Sequence, residues 1–484
     1  MRKATSFIVA AALLVAAYVL PGVRHRLLAD VTTWDAAPSP PARLPTGTGP
    51  GLPPSPRVRV ILVDGLAAET ARALPTWSAL CKRGVTLTVD VGFPTISLPV
   101  EAALWSGLTQ QQTGIVFRSD RPLEPPLHGI PSQVPGSHAV AENHGDIVRS
   151  LGFAQTEGDE TPAWRDVWQQ HAHDAVASDT RLVFVHVLRV DTAGHKHGRD
   201  SAEYRTSAGE ADAIVATLVD AAPDARWFLL SDHGHLAGGG HGGKERDVRQ
   251  VEHCIFGPGI VPAKGELVHV VDIARALADS VGATLDKASL GRPLSVALAS
   301  PLGPDQAVPA TALGPGVAAI FLLVVGGLVA GWGVRRWWLA PWWFVVACAA
   351  LVIVRGEPTL SRTMVYAPAG RSMYLTWLPA LAILLATMWF GLARQTLARV
   401  LASQLALPVA ALAAVFTVTR AWPALFGAEV APVVPRFTAW MSPLILIAAH
   451  GLAVAGLAVL GRSVLRAFGP PAPPEPPRSE PAAG

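Results

Sequence analysis

The chain has 484 residues, and its 39 lysines and arginines against 36 aspartates and glutamates give a formal net charge of +3 at neutral pH. A charge this small, with no basic stripe interleaved with aromatic residues, excludes nucleic acid as a structural partner. Hydrophobic residues make up 50% of the chain. Their concentration near both ends indicates membrane segments flanking a more polar middle.

The N-terminal region combines an apolar run with a segment of low complexity. Residues 7–20 are apolar, carry no charge and follow two basic residues. Their length is at the short limit for a spanning helix, so residues 1–21 are predicted to be a transmembrane anchor, with a cleaved signal peptide as the alternative. Residues 22–56 are predicted to be a tether, because 36–56 are crowded with proline, glycine and small side chains that cannot bury much apolar surface.

Residues 57–299 are long enough for one domain with its own core. Strand-like patterns in this region alternate with helix-like ones. This alternation predicts an α/β fold with a mainly parallel sheet flanked by helices. The strand patterns are VRVILVDG, VTLTVDV, RLVFVHVLRV and RWFLLSD, and the helical patterns cover residues 68–83, a stretch after Thr95, 202–221 and 272–281.

The C-terminal part reads as a membrane region between two polar segments. Residues 300–314 are predicted to be a linker, 315–466 an α-helical transmembrane region, and 467–484 a disordered proline-rich tail. Arginines in alternate loops place those loops in the cytoplasm and the polar domain on the periplasmic side, although one predicted outside loop also carries arginines. Five spans of roughly 20 residues each are predicted at 315–333, 338–354, 373–392, 400–419 and 440–461.

Three acidic residues, Asp64, Asp191 and Asp232, each follow an apolar run. Because ligands collect at the carboxyl ends of parallel strands, the sheet is expected to bring these three residues together. An isolated aspartate at a strand end is often only a turn residue. The clustering of histidines argues against that interpretation here, since thirteen of the fifteen lie between His128 and His269.

Histidines and a threonine complete this candidate site. His195 lies in DTAGHKHG, His233 in SDHGH, His241 in a glycine-rich loop, and Thr95 far upstream in FPTISLP. Oxygen and nitrogen ligands of these types hold two zinc ions around a hydroxyl nucleophile in known enzymes. Two structural alternatives stay open, because Thr95 could merely cap a helix and the glycines around His241 could serve only flexibility.

The order VDG, FPTISLP, RVDTAGHKHG, SDHGH, GGHGG resembles the alkaline phosphatase superfamily over roughly residues 57–295. The resemblance is to its type I phosphodiesterase and nucleotide pyrophosphatase branch, which includes the membrane-bound ethanolamine-phosphate transferases of glycolipid anchors. The resemblance implies Thr95 as a nucleophile that contacts the second of two zinc ions. It implies that Asp191, His195 and His241 bind the first zinc, and that Asp64, Asp232 and His233 bind the second.

Two positions depart from that family pattern. Arg118 stands where the branch commonly has a phosphate-contacting asparagine, so it could clamp phosphate or be a solvated loop residue. His235 stands where methionine is frequent, and a solvent-facing loop histidine is favoured over one that supports a metal ligand. Three cysteines are few for an exported domain, so disulfides are not its main support, but Cys81 and Cys254 could pair.

The leading interpretation is a membrane-anchored, zinc-dependent phosphodiesterase or phosphotransferase that acts through a phosphothreonine-type intermediate. Its expected partners are the membrane and a phosphoester, with lipid-linked and envelope-glycan substrates as candidates. Three alternatives remain: an inactive envelope binding or assembly protein, a sulfatase-like hydrolase, and a transporter. The sulfatase is disfavoured because neither Cys81 nor Cys254 stands at the nucleophile position, and the transporter because no charged residue lies well inside a predicted span.

Overall fold

The computed structural model describes residues 2–32, 44–115, 122–302 and 442–468, together with Ser361, Thr396 and Ala398. Four predicted membrane spans, the proline-rich tail and Arg118 lie outside these residues. Within the described part of the chain, no helix is both long enough and apolar enough to cross a membrane. The membrane segments therefore stay predictions.

The middle of the chain folds around one sheet of eight strands. They are β1 Val58–Val63, β2 Val85–Asp90, β3 His138–Ala141, β4 Gln155–Glu157, β5 Leu182–Val187, β6 Arg226–Leu230, β7 Gln250–Phe256 and β8 Ala263–His269. Their order is β4-β3-β5-β1-β6-β7-β2-β8. All pairs are parallel except the two made by β7. The prediction of a mainly parallel sheet flanked by helices is confirmed.

Helices of very different length accompany this sheet. They are α1 Arg2–Thr32, α2 Ala68–Ala73, α3 Pro75–Cys81, α4 Ser97–Ser106, α5 Gln110–Thr113, α6 Gly145–Ser150, α7 Pro162–Ala177, α8 Arg189–His197, α9 Ala202–Ala221, α10 Arg246–Arg249, α11 Val270–Val281, α12 Leu294–Ala299 and, after residues that are not described, α13 Ser442–Phe468. One turn of 3-10 helix covers Pro131–Gln133.

The central strand β1 is buried along its whole length. Its side chains alternate between two layers of the core, so that Val60 and Leu62 pack in one layer and Ile61 and Val63 in the other. A strand covered by helices on both faces reads as a continuous apolar run, which is why VRVILV was recognisable in the sequence. Each such side chain contributes about 1.5–3 kcal/mol when fully buried.

Some predicted elements end earlier than their patterns suggested. The helical pattern over 68–83 is divided into α2 and α3, because Leu74 adopts an extended conformation before Pro75; proline disfavours helical geometry in the preceding residue. The strand pattern RLVFVHVLRV ends at Val187, and its last two residues open α8. The strands β3, β4, β7 and β8 were not predicted, since their sequences are short or mix polar and apolar residues.

Two parts of the predicted tether at residues 22–56 lie within the described residues. Helix α1 continues to Thr32, and the described residues after 43 lie against the domain. The Arg226 guanidinium donates to the Pro53 carbonyl over 2.5 Å, and the backbone N–H of Ser55 donates to the Ser280 carbonyl over 2.7 Å. These bonds hold the segment on the surface, so the small residues there serve close packing.

Two further contacts connect distant parts of the chain. The disulfide between Cys81 and Cys254 joins the end of α3 to β7, as the sequence allowed. The first and last described helices, α1 and α13, pack against each other. A side chain added at Gly456 would meet Leu14 at 2.8 Å, so the glycine permits the two helices to approach closely.

Candidate metal centre

The candidate site lies where three neighbouring parallel strands end. Strand β1 stands between β5 and β6, with Val63 paired to Val187 and Leu62 to Leu230. Asp64 directly follows β1, and Asp232 lies two residues after the end of β6. The sheet therefore brings these carboxylates to the same edge, as predicted from strand order.

Asp191 reaches this edge by another route. It lies in the first turn of α8 and not at the end of the strand, which corrects the prediction. His195 follows four residues later, so both side chains occupy the same helix face. The Asp191 Oδ1 and His195 Nε2 atoms are 3.4 Å apart. The His241 Nε2 atom, from the glycine-rich loop, lies 3.0 Å from His195 Nε2 and 3.5 Å from Asp191 Oδ1.

The hydrogen bonds of His241 fix which of its nitrogens can bind a metal. Its Nδ1 lies 2.8 Å from the Thr95 carbonyl oxygen. A carbonyl can only accept, so Nδ1 carries the proton and Nε2 presents a lone pair to Asp191 and His195. Burial and the charges of His233 and His195 hold the pKa of His241 well below its usual value. The neutral imidazole that a metal requires is therefore favoured.

A second group adjoins the first. His233 Nε2 lies 3.3 Å from Asp64 Oδ1 and 3.3 Å from Asp232 Oδ2, and all three side chains are fully buried. The other ring nitrogen of His233 donates to the Gly234 carbonyl over 3.2 Å. With Nδ1 protonated, a neutral His233 would direct its lone pair at two carboxylate oxygens. That arrangement requires a cation or an additional proton between them.

The pKa values in this group show how strongly it attracts positive charge. Burial alone would lower the pKa of His233, but the Asp232 charge and the hydrogen bond to Asp64 raise it to about 10. Burial and the neighbouring charge of Asp64 raise the pKa of Asp232 well above its usual range. Two carboxylates this close cannot both stay ionised without a cation.

The distances in both groups suit zinc. Ligands of a tetrahedral ion with bonds of about 2.0–2.2 Å are separated from one another by roughly 3.3–3.6 Å. The contacts given above for the two groups span 3.0–3.5 Å. Each group also supplies three protein donors, which leaves room for a fourth ligand from substrate or water. The residues present therefore fit two metal ions of this type.

Thr95 is held beside these groups by the loop that carries His241. The Thr95 hydroxyl donates to the Gly243 carbonyl over 3.0 Å and accepts from the Gly242 backbone N–H over 2.9 Å. The residue is fully buried. The alternative of a helix cap is wrong, because α4 begins after Ile96 and no side chain caps it. The Thr95 hydroxyl is thus fixed by the loop whose His241 belongs to the first group.

The other histidines have roles that the sequence left open. His235 is not a solvent-facing loop residue: it is fully buried, and its Nε2 lies 3.0 Å from Asp191 Oδ1. His253 Nε2 lies 2.6 Å from the Ser231 carbonyl oxygen, and the His269 side chain caps the start of α11. His186, for which no role was predicted, is buried beside Asp64.

Three residues near the site were missed. Ser97 Oγ lies 3.5 Å from Asp64 Oδ1, and Glu101 is a fully buried carboxylate on α4. A single carboxylate within the apolar helix SLPVEAALWS was a signal that could have been used. Ser361, from the loop between the second and third predicted spans, accepts from the Gly243 N–H over 2.8 Å and donates to Glu245 over 2.6 Å. No feature of the sequence indicated this contact.

Buried carboxylates and imidazoles grouped in this way could hold metal ions, and the same types of side chain form the metal centres of enzymes that transfer phosphoryl groups. Residues 133–243 match the family model described as Type I phosphodiesterase / nucleotide pyrophosphatase. The GPI ethanolamine phosphate transferase 1 of Yarrowia lipolytica is 27% identical over 146 residues, covering 24% of this chain and 16% of that protein. The chain thus spans about a sixth of the length of this curated relative. These matches confirm the resemblance to the alkaline phosphatase superfamily.

Several solved structures are also similar. Murine ectonucleotide pyrophosphatase / phosphodiesterase 5 is 14% identical with a TM-score of 0.40, covering 48% of this chain and 96% of that one. A 2-O GAG sulfatase is 17% identical with a TM-score of 0.40, covering 50% and 74%. A protein in the alkaline phosphatase superfamily from Vibrio parahaemolyticus is 14% identical with a TM-score of 0.37, covering 58% and 78%.

Proposed function

We propose that this protein is a zinc-dependent enzyme that transfers a phosphoryl-containing group from a phosphoester, with Thr95 as the nucleophile. The observation that carries the proposal is the position of the Thr95 hydroxyl. It is fixed by Gly242 and Gly243, on the same loop as His241, whose Nδ1 donates to the Thr95 carbonyl. The nucleophile and one metal ligand are therefore held by one short segment.

The reaction would proceed by two successive displacements at the same phosphorus atom. Thr95 Oγ attacks phosphorus, the Thr95 O–P bond forms, and the bond from phosphorus to the leaving alcohol breaks. Water or a second alcohol then attacks the same phosphorus and releases Thr95. In the resting state the Thr95 hydroxyl donates a hydrogen bond to the Gly243 carbonyl. When Oγ attacks, its proton is released to solvent, the leaving oxygen takes up a proton, and the Gly242 N–H stabilises negative charge on Oγ.

Metal ions would be held by the two groups described above, Asp191 with His195 and His241, and Asp64 with Asp232 and His233. When bound, a zinc pair lowers the pKa of a coordinated hydroxyl and stabilises charge on the attacking and leaving oxygens. Within the chain, the His241 tautomer and the hydrogen bond from His235 to Asp191 orient the donors of the first group.

Hydrolysis and transfer differ only in the acceptor, so both reactions fit this site. The relative named as a GPI ethanolamine phosphate transferase supports a phosphodiester or phosphoethanolamine-type substrate, and lipid-linked and envelope-glycan phosphoesters are the candidates. A sulfatase-type mechanism with a cysteine nucleophile is disfavoured, because Cys81 and Cys254 are joined in a disulfide.

We further propose that the catalytic domain faces the periplasm or an equivalent exterior space, attached to a multi-pass membrane region. The apolar runs between residues 315 and 466 support this location, and so does the disulfide, since such bonds persist in oxidising compartments. Reporter fusions after Ser300 should be active outside and fusions after Gly469 inside. A reporter at Ser300 that is active in the cytoplasm would reject the location.

The catalytic proposal is tested with the zinc-loaded protein against phosphomonoesters, phosphodiesters and phosphoethanolamine lipids. Thr95→Ala should abolish turnover of the best substrate while leaving bound zinc unchanged, because the six metal ligands remain. Thr95→Ser, which keeps a hydroxyl, should retain partial activity. Turnover by Thr95→Ala at the wild-type rate would remove the mechanism.

A further inference from the structure

The turn that follows β1 contacts the second proposed metal group through its backbone. Gly65 comes directly after Asp64, and its N–H donates to Asp232 Oδ1 over 3.1 Å. The backbone N–H of His233 donates to the same oxygen over 3.0 Å. Because Oδ1 accepts both hydrogen bonds, Oδ2 is the oxygen that faces His233 Nε2, 3.3 Å away. The position of the Gly65 peptide therefore sets the orientation of the Asp232 carboxylate.

The same glycine packs against the first group. A side chain added at Gly65 would meet the Asp191 Cα at 2.8 Å and His235 Nε2 at 2.8 Å. The backbone of Gly65 has a φ of +72°, in the left-handed region that favours glycine. One peptide thus lies between the two groups, and a shift of that peptide would move ligands of both.

A buried phenol on α9 holds this turn in place. Tyr204 is fully buried, and its hydroxyl donates to the Gly65 carbonyl over 2.6 Å and accepts from the Ala67 N–H over 2.9 Å. Burial raises the pKa of Tyr204, so the hydroxyl keeps its proton at neutral pH and acts as the donor to Gly65. The backbone N–H of Tyr204 donates to Ser201 Oγ, which caps α9, over 3.0 Å. Two bonds to one oxygen therefore tie the turn to a long helix.

We propose that Tyr204 is a positioning residue for both metal groups. It binds no metal, and its hydroxyl fixes the Gly65 peptide, which orients Asp232 on one side and supports Asp191 on the other. Replacing residues that orient metal ligands typically lowers metal affinity by roughly 10–100-fold. The inference rests on the proposed function in one respect, since it takes these two groups as the places where zinc binds. It does not depend on the phosphoester that is used.

Tyr204→Phe tests the proposal, because it removes the hydroxyl and keeps the ring. We would measure the zinc affinity of the full chain by competition with a chelator, and record the visible absorption spectrum after cobalt is substituted for zinc. Zinc affinity should fall by roughly tenfold. The cobalt absorption bands should shift, because the geometry of the ligands changes. Neither measurement requires turnover of a phosphoester.

Ser137→Ala is the matched control, because Ser137 is another buried hydroxyl with the same pair of bonds. It donates to the Pro131 carbonyl over 2.9 Å and accepts from the Ala154 N–H over 3.1 Å. It lies directly before β3, at the opposite end of that strand from the edge where the metal groups lie. Ser137→Ala should lower the melting temperature, as Tyr204→Phe does, but leave zinc affinity and the cobalt spectrum unchanged.

Wild-type zinc affinity and an unchanged cobalt spectrum in a folded Tyr204→Phe would overturn the positioning role. If that variant does not fold, Ala67→Pro provides a second test. It removes the N–H that donates to the phenol, and the φ of −62° at Ala67 already suits proline. Ala67→Pro should weaken zinc binding to a smaller extent, and wild-type affinity in it would again overturn the role. A wild type that binds zinc but turns over no phosphoester would reject the proposed function alone, whereas one that binds no zinc would reject both.

Discussion

At the scale of single residues, the site depends on histidines in which one ring nitrogen already donates a hydrogen bond to a backbone carbonyl. His241 donates from Nδ1 to the Thr95 carbonyl, and His233 donates from Nδ1 to the Gly234 carbonyl. In both cases Nε2 is left to face carboxylates. In His241, whose pKa is lowered, the arrangement favours a neutral ring with Nε2 available to a metal, and it links the first group to Thr95, the proposed nucleophile.

Replacing His241 should therefore affect one metal more than the other. His241→Ala leaves only Asp191 and His195 in the first group, which is too few donors to compete well with water. We expect loss of about one zinc per chain and of most activity, with the metal at Asp64, Asp232 and His233 retained. His197→Ala, an exposed position at the end of the same helix, should change neither. Unchanged zinc and turnover in His241→Ala would exclude it as a ligand.

At the scale of elements, α8 does more than carry Asp191 and His195. Gly194 lies between them, and an added side chain would meet the His235 ring within 2.4–2.6 Å. That ring is the one that contacts Asp191 Oδ1. The missing side chain at Gly194 thus allows His235 to approach the metal ligand, so a small residue in DTAGHKHG has a steric role.

A pair of glycine substitutions in neighbouring helices tests this role. Gly194→Ala should displace His235 and weaken zinc binding at Asp191, and activity should fall roughly tenfold for each ~1.4 kcal/mol of lost stabilisation. Gly209→Ala on α9, where nothing lies within 4 Å, should instead stabilise the protein by up to about 1 kcal/mol through helix propensity. Zinc binding of both variants is measured by titration, and their stability by thermal unfolding. Equal behaviour of the two variants would contradict the steric argument.

Strand β7 contains a histidine that couples stability to pH. Burial lowers the pKa of His253 to about 4, against 6.5 for an unperturbed histidine. Below pH 6.5 the unfolded chain takes up a proton that the folded chain refuses, so stability is full above that value and is lost as the pH falls toward 4. The expected contribution is a loss of about 2 kcal/mol between pH 7 and pH 5.

His253→Gln should remove that contribution, because the amide can still donate to the Ser231 carbonyl but does not titrate. The measurement is the melting temperature of wild type and variant at pH 7 and pH 5. The difference in melting temperature between pH 7 and pH 5 should be smaller in the variant than in the wild type. Identical pH dependence in both proteins would show that His253 is not the group responsible.

At the scale of the whole molecule, a residue far along the chain completes the loop around the nucleophile. Ser361 accepts from the Gly243 N–H and donates to Glu245, while the Gly243 carbonyl accepts from Thr95. Ser361 is itself fully buried. The contact therefore brings Ser361 to the segment that fixes the Thr95 hydroxyl.

Removing this hydroxyl should loosen the loop without removing a metal ligand. Ser361→Ala leaves the Gly243 N–H buried without a partner, at a cost of about 1–3 kcal/mol. We expect kcat to fall by roughly tenfold, with bound zinc unchanged. Glu245→Gln, which can still accept from Ser361, should stay near wild type. Steady-state kinetics with zinc analysis would check both variants, and a normal kcat in Ser361→Ala would show that the contact does not position Thr95.

Much of the catalytic domain could be read from local patterns. The buried runs around β1, β5 and β6 are apolar because helices cover both faces of the sheet, and the residues following them are therefore conspicuous. In this way or through the family resemblance, the sequence singled out six proposed metal ligands, and the structure places them in the two groups that the resemblance implied: Asp191, His195 and His241, and Asp64, Asp232 and His233.

Only the tertiary structure decided which further residues reach these ligands. Glu101 lies on a helix, His186 on a strand and His235 in a loop, and their proximity depends on strand order, on the helix that replaces the end of a predicted strand, and on the space left by Gly194. Ser361 approaches from more than a hundred residues away. Sequence patterns record how each segment is buried, because burial is a property of a segment, whereas a contact between segments is a property of the packed molecule.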